Sequence, residues 1–343
     1  MSDLKINNIT NGSGDGGPVI AGVSTVSTSA FMVMPSGNTE IRGAGSGIAV
    51  IGGGYPANDV MQKVIIATKG NSTDFGDLSA ARYEGAGAGS ATRGLFMGGA
   101  PSTFTIDYTV FSSGGGANDF GNLRLGRMPW NAGANDSVRG FVMGGAASPT
   151  PHLPRISSIE VVIMASTGDA TFFGDLTKRS RRGGGCSSPT RAIHFTGRDD
   201  PARTKDVQFF TMATKGDAVK FGELTDERDS FAGTFSNNTR GIAGGGTSPS
   251  YTNTIDYITI ASEGNAIDFG DLTEVRISGA GASSKVRGLF CGGYGSGSPI
   301  TVHNIIDYVT IATTADANDF GDLTTNTSVR NMDATSDVNG GLG

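Results

Sequence analysis

Short apolar runs alternate with glycine-rich polar stretches along this chain, and the alternation returns at a fixed interval. The stretch Asp268-Phe269-Gly270-Asp271-Leu272 recurs six times with small changes, centred on Phe75, Phe120, Phe173, Phe221, Phe269 and Phe320. The copies stand about 49 residues apart, and a period of roughly 20 to 50 residues is the signature of a solenoid, propeller or array. Spacing inside the unit is stricter than spacing between units. Fourteen residues before each Phe an apolar residue (Met61, Ile106, Ile159, Val207, Ile255, Ile306) opens a run such as Ile255-Asp256-Tyr257-Ile258-Thr259-Ile260. β-Branched and aromatic residues in such a run predict a strand.

Five residues before each Phe stands Gly70, Gly115, Gly168, Gly216 or Gly264, with Ala315 in the last copy. Glycine tolerates the positive φ of a hairpin turn, so the run and the Phe segment predict two antiparallel strands. Upstream lies a third strand that ends in paired glycines, clearest in Leu95-Phe96-Met97-Gly98-Gly99, Phe141-Val142-Met143-Gly144-Gly145 and Leu289-Phe290-Cys291-Gly292-Gly293. Before it again comes a Gly/Ala/Ser segment headed by Arg82, Arg127, Arg228 or Arg276. Four short strands per unit make one propeller blade, and a lone blade leaves both faces uncovered, so blades must pack radially.

Closure sets the blade count. The first unit has too few residues between Arg42 and Ala49-Val50-Ile51-Gly52-Gly53 for a full first strand, whereas Thr327 to Gly340 supplies a leftover first strand after Leu323. The expected fold is therefore all-β, a six-bladed propeller over residues 42–343 closed by the C-terminal strand in the first blade. Seven blades is the alternative, if residues 18–41 join the ring. Residues 1–41 stand outside the repeat, are rich in Gly, Ser and Thr, and carry two short β-prone pieces, Val19 to Val26 and Phe31 to Met34. They are expected to form an extended arm that docks by adding strands to a partner.

An Arg, then Gly-Gly about sixteen residues on, a strand, a Gly turn and an aromatic-x-x-Leu close together resemble the kelch repeat, with Phe where kelch repeats usually carry Trp. The opening Leu4-Lys5-Ile6-Asn7-Asn8-Ile9-Thr10, the segment Gly17 to Thr25, and the phrases Ile-Asp-Tyr-Val-Thr-Ile-Ala and Asp-Phe-Gly-Asp-Leu are similar to structural proteins of tailed bacteriophages, particularly marine and cyanobacterial ones. That resemblance implies a virion protein, a propeller appendage on tail, neck or capsid, held to other virion proteins through residues 1–41. It leaves room for contact with a host-surface glycan or protein, and an adhesin role is the alternative function. Analogy with other appendages suggests a homo-oligomer.

Composition narrows the classes further. Glycine accounts for 55 of 343 residues without a collagen period, so it goes into turns and close backbone approaches. The net charge of −6 argues against a nucleic-acid footprint, and Arg179, Arg181 and Arg182 form only a local basic cluster. No apolar run approaches 18 residues, and the first residues lack the apolar core of a signal peptide. Cys291 shares a column with Met97, Met143 and Phe195 and reads as a small core hydrophobe; Cys186 lies in another blade, so no disulfide is expected.

Enzymatic chemistry finds little support in the sequence. Asp-Phe-Gly occurs here as a repeated strand end without the other kinase motifs. The three histidines, His152, His194 and His303, lie in unrelated positions and predict no shared metal site, and the single tryptophan, Trp130, stands in no sialidase-type box. Asp77, Asp175, Asp271 and Asp322 are single carboxylates a blade apart; they are expected to accept backbone hydrogen bonds in turns rather than bind a cation. No catalytic, cofactor or metal residue is assigned. The six repeated Phe residues are expected to form the structural core, and the long loops Ala146 to Ser158 and Tyr294 to Ile305 are the candidate contact surface.

Overall fold

A computed structural model describes residues 24–25, 32–33, 47–101, 104–130, 132–147, 155–199, 202–297, 299–324 and 329–342. The chain divides into two compact units, Met1–Gly43 and Ala44–Gly343. In the first, Ser24–Thr25 pairs antiparallel with Met32–Val33 in a two-stranded sheet of its own. No described residue before Ile48 enters a four-stranded sheet, so the seven-bladed alternative fails. The rest of the expected arm, and with it the expected docking segment, lies outside the described residues.

The second unit is an all-β propeller of six antiparallel four-stranded blades. Blade 1 runs outward from the axis as Asp333–Ser336, Ile48–Gly52, Asn58–Ile65 and Thr73–Arg82. Its inner strand is C-terminal, with Ala49 opposite Ser336 and Gly52 opposite Asp333, so the last strand closes the ring as the spacing predicts. Blade 2 is continuous in sequence, from Ala86–Gly89 through Arg93–Met97 and Thr105–Val110 to Asn118–Asn122, and blades 3 to 6 follow it. The inner strands Gly133–Asn135, Gly184–Ser187, Gly233–Ser236 and Ala280–Ser283 complete a ring in which each touches the next. Glycines in these strands permit that approach: a Cβ on Gly133 would come within 2.1 Å of the Gly87 carbonyl oxygen.

The repeated Phe residues sit between blades. Each is 2–4% exposed. Phe75 packs with Phe96 and Phe111 of blade 2, Phe120 with Val162 and Met164 of blade 3, and Phe173 with Phe210 and Met212 of blade 4. The series continues with Phe221 against Ile258 and Ile260, Phe269 against Val309 and Ile311, and Phe320 against Val64 and Ile66 of blade 1. The glycine after each Phe lets the next blade's turn come close; on Gly76 a Cβ would meet the Gly115 backbone at 2.4 Å. Backbone hydrogen bonds cross every junction there, from the N–H of Ser72, Ala117, Ala170, Ala218, Ala266 and Ala317 to the outer strand of the preceding blade.

A buried polar clasp joins neighbouring blades on the inner side of these Phe residues. Arg82 pairs with Asp107, Arg127 with Glu160, Arg228 with Asp256 at 2.5 Å and Arg276 with Asp307 at 2.9 Å, all with buried side chains. Each guanidinium also donates to main-chain carbonyls of the next blade, as Arg127 does to Gly144 at 3.0 Å and Ser158 at 2.8 Å. Each carboxylate accepts the N–H of the residue after the preceding blade's repeated Leu, as Asp256 does from Thr225 at 3.1 Å. At the other two junctions the arginine position holds Ser180 or Val329. There Gln208 and Gln62 occupy the acid's place and accept the N–H of Thr177 and Thr324 at 2.7 and 2.8 Å. Cation and anion are thus replaced together, which avoids a buried charge without a counter-charge.

Truncating Phe221 to Ala leaves a void between blades 4 and 5, and is expected to cost about 3–5 kcal/mol, the usual range for a buried Phe. Chemical denaturation checks this against a surface control such as Thr259→Ala; equal losses would contradict the interblade role of Phe221.

Candidate functional site

The connection from each outer strand to the next inner strand passes over one end of the axis. Its turning residues are Glu84, Trp130, Arg182, Ser230, Ser278 and Asn331, each with φ between +51° and +60°. That left-handed conformation is unusual for non-glycine residues and signals a backbone held by its surroundings. The hold is a belt of main-chain hydrogen bonds around the axis. Glu84 N–H donates to Asn331, Asn331 to Ser278, Ser278 to Ser230, Ser230 to Arg182, and Trp130 to Glu84, over 2.6–3.2 Å. The backbone is nearly six-fold at this belt, whereas its side chains differ in almost every copy.

Four of those side chains, Glu84, Trp130, Arg182 and Asn331, with neighbours from the same connections and from those between second and third strands, line a cavity of about 410 Å³ at the mouth of the axis. Tyr55, Tyr83, Trp130 and Tyr294 supply its aromatic surface, and Arg181, Arg182 and Arg330 its positive charge. Arg330 lies between two rings, its guanidinium carbon 4.7 Å from the Tyr55 centroid and 5.2 Å from that of Tyr294. Tyr55 meets Tyr83 edge-on at 5.0 Å, Tyr294 meets Tyr251 at 6.0 Å, and Arg182 lies 6.0 Å from the Trp130 ring. Arg182 and Arg330 have no carboxylate within ion-pairing distance among the described residues.

Glu84 is the carboxylate of this mouth. It accepts hydrogen bonds from the Asn331 amide and the Trp130 indole, and burial nevertheless pushes its pKa up, against the pull of those bonds and of Arg182 and Arg181. Burial also raises Tyr83, helped by Glu84 and Tyr55, and raises Tyr294 beside Tyr251, so both phenols remain neutral donors. Beneath Glu84, at the start of the blade 1 inner strand, Asp333 is buried with one oxygen on the Gly85 N–H at 3.1 Å and the other without a partner. Desolvation pushes Asp333 up to about 8, despite Arg82, with Glu84 adding to the rise.

The opposite end of the axis is closed. A belt of hydroxyls links the ends of the inner strands, with Ser187 donating to the Asn135 carbonyl, Ser236 to Ser187, Ser283 to Ser236 and Ser336 to Ser283, at 2.6–2.7 Å. The Asn339 amide exchanges hydrogen bonds with Asn135 across the axis, and Gly340–Leu342 forms a 3₁₀ turn over the opening. Between the six inner strands the axis holds a cavity of only about 50 Å³, so it is no passage for a solute.

The other residues marked in the sequence fall elsewhere. His194 is buried in its Phe96 and Val142 column, and desolvation lowers its pKa to about 3, so it is neutral. His303 lies half-buried in a blade 6 connection, and His152 is outside the described residues. Cys186 and Cys291 are buried thiols, each pushed up to about 12, and form no disulfide. No group of three His, Cys, Asp or Glu side chains able to hold a metal ion occurs among the described residues.

The repeated aspartates need a correction. It is the backbone of Asp175, Asp271 and Asp322 that donates, to the side chains of Asp217, Asp316 and Asn71 in the next blade's turn at 2.9–3.0 Å. The turn packs on the outer strand's main chain, whose N–H needs an acceptor from across the junction. Of the two long loops, 148–154 lies outside the described residues, whereas Tyr294 reaches the mouth. Arg181 and Arg182, a local cluster in the sequence, become part of the mouth once blade 3 turns toward blade 4. Glu84, Trp130, Arg330 and Asn331 were missed; their signal is variation at the positions two or three residues after a strongly repeated column.

Asp333 gives this end a pH signature. Its folded pKa, about 8, stands above the ordinary value near 3.9, so its favourable contribution is full below pH ~4 and is lost as pH rises through 8. Asp333→Asn keeps an acceptor for Gly85 without the charge, so its melting temperature relative to the parent is expected to climb between pH 4 and pH 8. Parallel pH profiles for the two proteins would contradict this. No family model matches the chain, and no curated protein matches it.

Proposed function

We propose that the propeller is the recognition module of a virion appendage of a tailed phage, presenting the arginine- and aromatic-lined mouth to a host-surface ligand while residues 1–41 anchor it to other virion proteins. The observation that carries the recognition half is the mouth itself. Unlike side chains gather on a rigid, repeated backbone, in a cavity within the 300–1,000 Å³ typical of small-ligand sites. Loops on a rigid scaffold are where recognition usually resides. The virion half is supported by the resemblance of the opening segment and repeat phrases to tailed-phage structural proteins, and the kelch-like spacing supports a binding scaffold that hosts varied ligands. Binding is favoured over catalysis because Glu84, the carboxylate that lines the mouth among the described residues, is already engaged by Asn331 and Trp130.

Labelled full-length protein, and protein lacking residues 1–41, are to be tested for binding to candidate host cells and to virions stripped of this protein. Host binding is expected to survive loss of the arm, whereas virion binding is expected to be lost with it. Binding to virions alone, and only with the arm present, would make the protein an assembly or decoration component without a receptor role.

A further inference from the structure

We infer that the mouth takes a carboxylated sugar, a uronic or sialic acid residue of a surface polysaccharide; this rests on the recognition reading above and names its ligand class. The chain as a whole carries a net charge of −6, yet the mouth gathers three arginines against one glutamate. Burial raises the pKa of that glutamate, which already accepts two hydrogen bonds, so the local field favours an anion over a cation.

The geometry around Arg330 selects among anions. Tyr55 and Tyr294 lie over its guanidinium, which directs polar recognition to its N–H edge. A guanidinium edge matches a planar carboxylate with two parallel hydrogen bonds. Arg182 offers a second cation with no acid partner among the described residues, beside the Trp130 ring. Trp130 and Tyr83, half-buried against Ala100, Met128 and Ala146, form an aromatic wall of the same cavity, suited to the apolar C–H face of a pyranose. The neutral phenol of Tyr83, with the Asn331 side chain, supplies hydrogen-bonding groups for ring hydroxyls. A ligand that combines a planar anion, an apolar face and several hydroxyls is an acidic sugar. Mixed apolar and polar lining of this kind is less suited to a bare inorganic anion, which has no face to stack.

The test is calorimetric titration of the full-length protein with three sets of oligosaccharides: uronic- or sialic-acid-bearing, the same compounds with the carboxyl reduced to an alcohol, and sulfated neutral counterparts. The acidic sugars are expected to bind, and reduction of the carboxyl to weaken binding about ten- to a hundredfold, as befits loss of a charge-assisted hydrogen-bonded pair. Arg330→Gln, and independently Arg182→Gln, should weaken the acidic sugar more than the reduced one, so that the gap in affinity between the two sugars narrows, with melting temperatures confirming that both variants fold. Equal affinity for acidic and reduced sugars, preference for the sulfated set, or no binding to any of them would overturn the inference. A parallel host-cell assay separates the two levels. Cell binding that persists after chemical reduction of surface carboxylates defeats the sugar assignment and leaves recognition standing, whereas absence of cell binding defeats the recognition reading whatever the titrations show.

Discussion

Six blades hold together because each buries a charged or amide group that accepts a backbone N–H from its neighbour. Asp107, Glu160, Asp256 and Asp307 lie inside the sheet stack, where an unpaired carboxylate would be costly to desolvate. Every one is met by an arginine and by a backbone N–H from the preceding blade. The Phe wedges supply the apolar driving force for packing, but apolar contacts alone tolerate sliding and tilting. The clasp fixes the angle and height at which blades meet, because the hydrogen bonds are directional. The paired replacements Ser180 with Gln208, and Val329 with Gln62, show the same requirement in neutral form.

Rigidity at the junctions has a functional consequence at the mouth. The arginine of each clasp stands two or three residues before the turning residue of the axial belt, so the clasp and the belt together set where Glu84, Trp130 and the other mouth side chains begin. Closure at the far end by Asn339 and the hydroxyl belt leaves this mouth as the open end of the axis. A repeated backbone with unrepeated side chains lets the four belt positions that line the mouth, 84, 130, 182 and 331, set its ligand on one common frame.

The fold was largely legible in the sequence because its determinants repeat. Phe75 to Phe320, the turn glycines and the short first unit all report on the same period, and the C-terminal strand falls where the missing inner strand required it. The clasp was half legible. The Arg82, Arg127, Arg228 and Arg276 column was evident, but its acids sit one residue after Ile106, Ile159, Ile255 and Ile306, where alternation in a strand reads as an outward polar face. Only radial packing of another blade on that face turns Asp256 inward. The mouth was illegible for the opposite reason: its residues come from six connections and fall in no repeated column of the sequence. Arg330 and Tyr55 are distant in sequence and meet only because the ring closes.

The clasp is tested most directly by a double-mutant cycle at the junction between blades 4 and 5, using Arg228→Ser, Asp256→Gln and the pair together, with denaturant unfolding as the readout. Ser and Gln are the residues this protein itself places at the equivalent positions 180 and 208. Each single change strands a buried group and is expected to cost about 3–5 kcal/mol, while the double variant recovers most of that loss. Losses that simply add would show that the two side chains act independently, and would contradict the clasp as the constraint on which the ring and its mouth depend.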